Sequence, residues 1–186
     1  IEPEADKLNI YYDFCFPDHT DKILCNEWQR NQLYNLFGVN KDIYAFLKRT
    51  FDNPLFLHQL TPLCEYFYKR SKVGNNSKMY IHLQKKWIDI ACFNKKGLLF
   101  ANSFEYGDIH DAAYYILNVW EQQGFDQEKD ELQLTGDKEP RQIITRIAQE
   151  YIRQVMPSIF PPQLFKLGKE TLEAPFDLTV IPLCEL

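Results

Sequence analysis

The clearest pattern in the chain is three short apolar-rich runs separated by polar turns. Met79 to Leu83, Trp87 to Phe93 and Leu98 to Phe104 each predict a strand. Lys85-Lys86 makes the first turn. Asn94-Lys95-Lys96-Gly97 makes the second, with Gly at the position that wants a positive φ, so the three strands form an antiparallel meander. The spacing then changes from strand-like to helical. Ala112, Tyr115, Ile116 and Val119 recur at three- and four-residue intervals and predict a helix over about 110–123, capped by Asp108 and closed by Gly124. Glu131 to Thr135 predicts a further strand. Ile143, Ile144, Ile147, Ala148, Tyr151 and Ile152 predict a long helix from about Glu139 to Val155, stopped by Met156-Pro157. In the proline-rich tail, Gln163 to Leu167 and Phe176 to Ile181 each predict a last strand.

The first part of the chain is patterned differently. Residues 8–16 and 32–37 predict strands, as does the stretch Leu55-Phe56-Leu57-His58. Asn40 caps a helix whose stripe is Ile43, Phe46, Leu47 and Phe51. Thr61 as cap, with Pro62 at the first helical position, opens a second helix that ends near Ser71. Val73-Gly74-Asn75-Asn76-Ser77 is the strongest break and divides the chain into regions 1–71 and 72–186. After residue 78 the order is β-β-β-α-β-α-β, which implies an α/β fold with a mixed sheet and helices on its faces.

Composition adds exclusions. The net charge is −5 and the basic residues are scattered, so the concentrated basic face that nucleic-acid binding needs is missing. No apolar run approaches the roughly 20 residues of a membrane span. The charged opening Ile1-Glu2-Pro3-Glu4-Ala5-Asp6 does not read as a secretory leader, and without an initiator Met residues are expected upstream of Ile1. The five cysteines have no short spacing, which predicts reduced cytoplasmic thiols packed as small apolar groups.

Four blocks carry a resemblance: Leu60-Thr61-Pro62-Leu63-Cys64-Glu65, Met79-Tyr80-Ile81-His82-Leu83, Leu99-Phe100-Ala101-Asn102-Ser103-Phe104 and Leu132-Gln133-Leu134-Thr135-Gly136. With the element order, they resemble an uncharacterised, mainly Bacteroidetes, bacterial family of actin-like fold and unassigned function. The wider ribonuclease-H-like and actin-like superfamily includes actin, sugar kinases and heat-shock chaperones. The resemblance spans about residues 40–155. It implies two lobes with nucleotide between them, residues 72–186 being the second lobe and 1–71 an incomplete or reduced first.

It also implies a place for each functional group. Active actin-like ATPases open each lobe with a phosphate-gripping hairpin that needs an acid for the metal, glycines for close main-chain approach, and Ser or Thr. The matching hairpin is Ile81-His82-Leu83-Gln84-Lys85-Lys86-Trp87-Ile88-Asp89, with His82 where the acid belongs and no glycine in the turn. This departure points away from ATP hydrolysis. The superfamily's adenosine segment falls on Leu134-Thr135-Gly136-Asp137, so Thr135, Gly136 and Asp137 are the residues that would contact a nucleotide. Their other reading is a strand-to-helix turn that needs Gly, with Asp137 as cap.

The remaining candidates are weaker. Asp108-Ile109-His110-Asp111 has metal-ligand chemistry, but Asp108 and Asp111 match helix-start preferences. Asp13, in a run reaching His19, places a carboxylate on a strand, where a nuclease would want one. Ser103, His82 and Asp89 contain the groups of a triad, without a G-x-S-x-G elbow. Tyr114-Tyr115 and Tyr66-Phe67-Tyr68 are candidate interface anchors as well as half-buried helix residues. With seven glycines in the chain, neither a Walker loop nor G-x-G-x-x-G occurs. The reading is a cytoplasmic, non-catalytic scaffold or regulator acting on a protein partner, with no catalytic residue, metal site or cofactor expected. The alternative is an atypical ATPase that binds ATP and Mg between the lobes.

Overall fold

The computed structural model describes residues 5–28, 33–158, 161, 168 and 174–184. The chain divides into two compact units between Thr61 and Pro62, earlier than the composition break at Val73–Ser77. The division falls inside a helix, α3, Leu60–Ser71.

The smaller unit begins with α1, Ala5–Cys15, followed by the strands β1, Lys22–Trp28, and β2, Leu33–Val39. These two pair antiparallel from Lys22↔Val39 to Trp28↔Leu33. Helix α2, Lys41–Thr50, follows, and Asn40 caps it as expected, its Oδ1 accepting from Asp42 N and Ile43 N. Three expectations fail here. Residues 8–16 lie in α1 and its end rather than in a strand, so Asp13 sits on an exposed helix and not in a sheet. An aromatic run favours a strand only where a neighbouring strand completes the ladder, and here Ile10, Tyr11, Phe14 and Phe16 face solvent. Strand β1 was not anticipated. Residues 55–58 form no strand, because the Asn26 side chain takes their main-chain groups: its Nδ2 donates to Phe56 O at 2.9 Å and its Oδ1 accepts from His58 N at 2.9 Å. Thr61 does not cap α3. It lies inside the helix and its hydroxyl donates to Asn26 Oδ1 at 3.0 Å.

The larger unit follows the expected order: β3 (Lys78–Leu83), β4 (Trp87–Asn94), β5 (Gly97–Glu105), α4 (Ile109–Gln122), β6 (Glu131–Gly136), α5 (Lys138–Ala148) and β7 (Gln154–Pro157). The strands form one mixed sheet in the order β5-β4-β3-β6-β7. β3 is antiparallel to β4 and parallel to β6, and β6 is parallel to β7. The turn before β5 is as read: Gly97 has φ 146°, and Asn94 Oδ1 accepts from Lys96 N and Gly97 N. One face of the sheet carries Met79, Ile81, Leu83, Ile88, Ile90, Leu132 and Leu134 into a core closed by Ala112, Ile116, Val119 and Trp120 of α4 and Ile144 and Ala148 of α5. On the opposite face Phe67 of α3 stacks on Tyr80, centroids 4.4 Å apart.

Two boundaries near the end need correction. The helix expected to reach Val155 stops at Ala148, and Gln154–Pro157 instead pairs with β6. The apolar spacing continues past the turn because Ile152 is buried beneath the loop, which mimics another helical position. Phe176–Ile181 is not a strand: Phe176–Thr179 is a short helix, α6, running into a 3-10 turn at Ile181–Leu183. Pro175 precedes it, and Thr179 Oγ1 bonds back to Phe176 O, a local bond that competes with a ladder. The strand expected at 163–167 lies outside the described residues. No described helix is long and apolar enough to cross a membrane.

Candidate functional site

The two parallel strands β3 and β6 end side by side, and the chain turns from β6 straight into α5. Gly136 makes this turn possible. Its φ is +91°, and a Cβ there would lie 2.0 Å from Leu83 O. Only glycine tolerates both conditions. Asp137 N then donates to Leu83 O at 2.8 Å, locking the start of α5 to the end of β3. Asp137 occupies the N-cap position, but its carboxylate takes no cap bond from the first turn.

Across the face opposite the apolar core runs a row of polar residues in direct register. Thr135 on β6 pairs with His82 on β3, His82 with Asp89 on β4, and Asp89 with Ser103 on β5. Thr135, His82 and Asp89 are buried, so each needs a partner. Ser103 Oγ donates to Asp89 Oδ1 at 2.5 Å. Thr135 Oγ1 donates to Ile81 O at 2.9 Å and lies 3.3 Å from His82 Nδ1. With the threonine proton given to Ile81 O, Nδ1 donates to Thr135 Oγ1 and Nε2 of neutral His82 is left as an acceptor. That Nε2 has no hydrogen bond among the described residues and sits 3.9 Å from Asp177 Oδ1 of α6, itself without one. Burial pushes the His82 imidazole below its ordinary value of 6.5, against the opposing pull of the Asp89, Asp177 and Asp137 carboxylates. Burial also pushes the Cys64 thiol up to about 12, with the Asp89 charge adding to the effect.

A cavity of about 570 Å³ opens where these strands end, within the size range of ligand sites. Its walls include His82, Gln84, Thr135, Gly136, Asp137, Lys138, Arg141, Ser158 and Phe176. Ser158 Oγ is a further buried polar atom without a partner among the described residues.

The chain's pattern matches a family model described as "Protein of unknown function (DUF3822)" over residues 4–155. The chain belongs to that family. A search of curated proteins finds no match for this DUF3822 chain. Among solved structures it is similar to a Bacteroides thetaiotaomicron VPI-5482 protein with an actin-like ATPase fold and unknown function, determined at 1.85 Å. The identity is 31%, the TM-score 0.81, and the match covers 99% of this chain and 67% of that one. The DUF3822 chain thus has the α/β, actin-like fold, and the family resemblance read from the sequence holds.

The structure sorts the candidates. Thr135, Gly136 and Asp137 all line the cavity, but the Thr135 hydroxyl is spent on Ile81 and Gly136 is pressed against Leu83. Ser103, Asp89 and His82 do come together, in an order that makes no triad: the serine bonds the aspartate, whereas hydrolysis needs the histidine between them. Asp108 and Asp111 form a capping box on α4. Asp13 pairs with His19 on the surface at 2.7 Å. No cluster of three metal-ligating side chains occurs among the described residues. Tyr66 and Phe67 are buried, Tyr115 stacks on Phe104, and Tyr114 is exposed. All five cysteines are free thiols; Cys64 and Cys92 are packed inside as expected, while Cys15 is exposed. Sequence reasoning missed Lys138, Arg141, Ser158 and Asp177. Strand register offered a signal for the row, but nothing local marks a residue that reaches the site from the tail.

Proposed function

We propose that this chain is a non-hydrolytic, actin-like, cytoplasmic protein that works as a scaffold or regulator through contact with a protein partner. In this reading the five-stranded unit corresponds to the second lobe and the smaller unit to a reduced first lobe. The observation that carries the proposal is the β3–β4 turn. A phosphate cradle needs main-chain N–H groups turned outward and little side-chain bulk. Here Gln84 N donates inward to Trp87 O at 2.9 Å. The carbonyls of Gln84 and Lys86 accept from Tyr106 Oη and Tyr106 N, and the side chains of Lys85, Lys86 and Trp87 cover the outside. His82 stands where a metal-binding acid belongs, and its Nδ1 is held by Thr135. Trp87 and Tyr114 supply exposed aromatic surface of the kind protein interfaces use, and five free thiols suit a reducing compartment.

One observation favours the alternative, an atypical ATPase: the cavity bordered by Thr135, Gly136, Asp137 and Lys138 has room for part of a nucleotide. Thermal-shift titration with ATP and Mg separates the two. The scaffold reading expects no saturable response and no phosphate release. A midpoint that climbs as RT ln(1 + [L]/Kd), with turnover by the pure protein, supports the ATPase instead.

A further inference from the structure

We propose that the outer edge of β5 is an interaction surface for a second copy of this chain, and that the two copies join antiparallel, strand to strand, about a two-fold axis at Asn102. The five-stranded sheet has two edges, β7 and β5. β7 is short, Gln154–Pro157, and its closing proline suits a strand that takes no further partner. β5, Gly97–Glu105, has nine residues, and Leu98 to Phe104 contains neither a charge nor a proline. Edges of that length are normally guarded by lysine, proline or a covering strand, and no strand among the described residues pairs with this one. The register shift opposite Cys92–Phe93 falls at the start of β5 and leaves the stretch from Phe100 onward regular.

Ser103 shows which groups point outward. Its N–H donates to Asn102 Oδ1 at 2.9 Å rather than to β4. Main-chain groups alternate along a strand, so Ala101, like Ser103, turns its N–H and C=O away from β4, while Phe100, Asn102 and Phe104 turn theirs towards it. Matching outward groups in an antiparallel pair sets Ala101 opposite Ser103 of the second copy, each such pair exchanging both its main-chain bonds. Asn102 then faces Asn102 of the second copy on the axis. Phe100 faces Phe104 of the second copy in the close, non-hydrogen-bonded position, where aromatic pairs stabilise most. A shift of two residues either way sets Phe100 or Phe104 against Asn102, so only this register gives both phenylalanines a ring partner. A foreign strand could take the main-chain bonds, but the ring-to-ring match needs the sequence of β5 itself. The edge is already an aromatic rim: the Phe100, Phe104, Tyr115 and Tyr114 rings follow one another at centroid distances of 6.4, 4.8 and 6.0 Å, ending at Tyr114, 65% exposed. On joining, Asn102 releases Ser103 N, and the two freed amides meet on the axis. This inference goes beyond the scaffold reading and stands whether or not that reading holds, since pairing of copies needs neither a foreign partner nor a nucleotide.

Sedimentation equilibrium of the full chain over a concentration series tests it, and a reversible dimer is expected. Asn102→Lys and Asn102→Asp should each weaken the dimer by about tenfold or more, since like charges directly opposite one another repel. An equimolar mixture of the two variants should dimerise again, because an axis through residue 102 sets the lysine of one against the aspartate of the other. Ala101→Pro removes an outward donor and no bond to β4, so it should be monomeric with unchanged circular dichroism. Should the proline variant fail to fold, the charge variants decide alone. A wild type that stays monomeric up to about 1 mM leaves the edge to a strand of another protein and overturns the proposal. Dimerisation left intact by Asn102→Lys, or charge variants that do not recover on mixing, overturns it as well.

Discussion

The two faces of the five-stranded sheet are built on opposite principles. Towards α4 and α5 the central strands place only apolar, fully buried side chains, Met79, Ile81 and Leu83 on β3, Ile88 and Ile90 on β4, and Leu132 and Leu134 on β6. Towards α3 and α6 the same strands carry Thr135, His82, Asp89 and Ser103 in one row. The first face is stabilised by removing hydrocarbon from water. The second also buries hydrocarbon, as where Phe67 stacks on Tyr80, but its polar row gains nothing that way, since each polar group gives up hydration and recovers it only through a well-placed bond. Hydrocarbon burial accounts for the first face and for the Phe67–Tyr80 contact, but not for the row of polar groups between the strands. The cavity opens at that row's edge.

Adjacent residues on β6 test this contrast, because Leu134 and Thr135 point to opposite faces. Leu134→Ala should give the larger loss, about 2–5 kcal/mol by urea unfolding, through lost burial and the cavity left behind. Thr135→Val keeps the volume and removes the hydroxyl. It should cost less, about 1–3 kcal/mol, because Ile81 O and His82 Nδ1 each lose their Thr135 contact. Thr135→Ser should recover most of that loss. A valine variant as stable as the wild type would mean that the row is not a bonded network, and the contrast between the faces would fail.

The apolar face was legible in the sequence and the polar one was not, for a physical reason. Burial of a strand or amphipathic helix leaves a periodic mark, so β3, β4, β5, α4 and β6 could be read from spacing, turn residues and the Asp108 cap. Where solvent replaces the core the mark disappears: α1 exposes Ile10, Tyr11 and Phe14, and its aromatic run reads as a strand. Where burial continues without helix the mark misleads, as at Ile152 beyond α5, which hid β7. The site depends on register and on chain return. His82 meets Thr135 because β3 and β6 run parallel in one particular pairing, and Asp177 arrives from far along the chain. Gly136 announced itself by its place between a strand and a helix, which signals close main-chain approach, whereas Thr135, Asp137 and His82 are marked only through the family resemblance.

The smallest expected effect concerns the proton. His82 is neutral at pH 7 because its burial outweighs the attraction of Asp89, Asp177 and Asp137, the carboxylates that face it from β4, α6 and the start of α5. Its folded pKa therefore lies below the unfolded one, and the sign of the linkage follows: the stability it contributes is present above about pH 6.5 and is lost as pH falls through the folded value. Denaturant midpoints should drop between pH 7.5 and pH 5 in the wild type, and His82→Gln should drop less over that interval. An NMR titration of the four histidines gives the independent check, with the His82 ring protons moving at lower pH than an unperturbed imidazole. Because Nε2 already faces Asp177, protonation would convert an acceptor–acceptor contact at 3.9 Å into an ion pair, and that gain limits the size of the loss. If His82 instead titrates above the ordinary value, the carboxylates dominate, the imidazole is charged near neutral pH, and the row is an ion-pair network rather than a neutral hydrogen-bonded one.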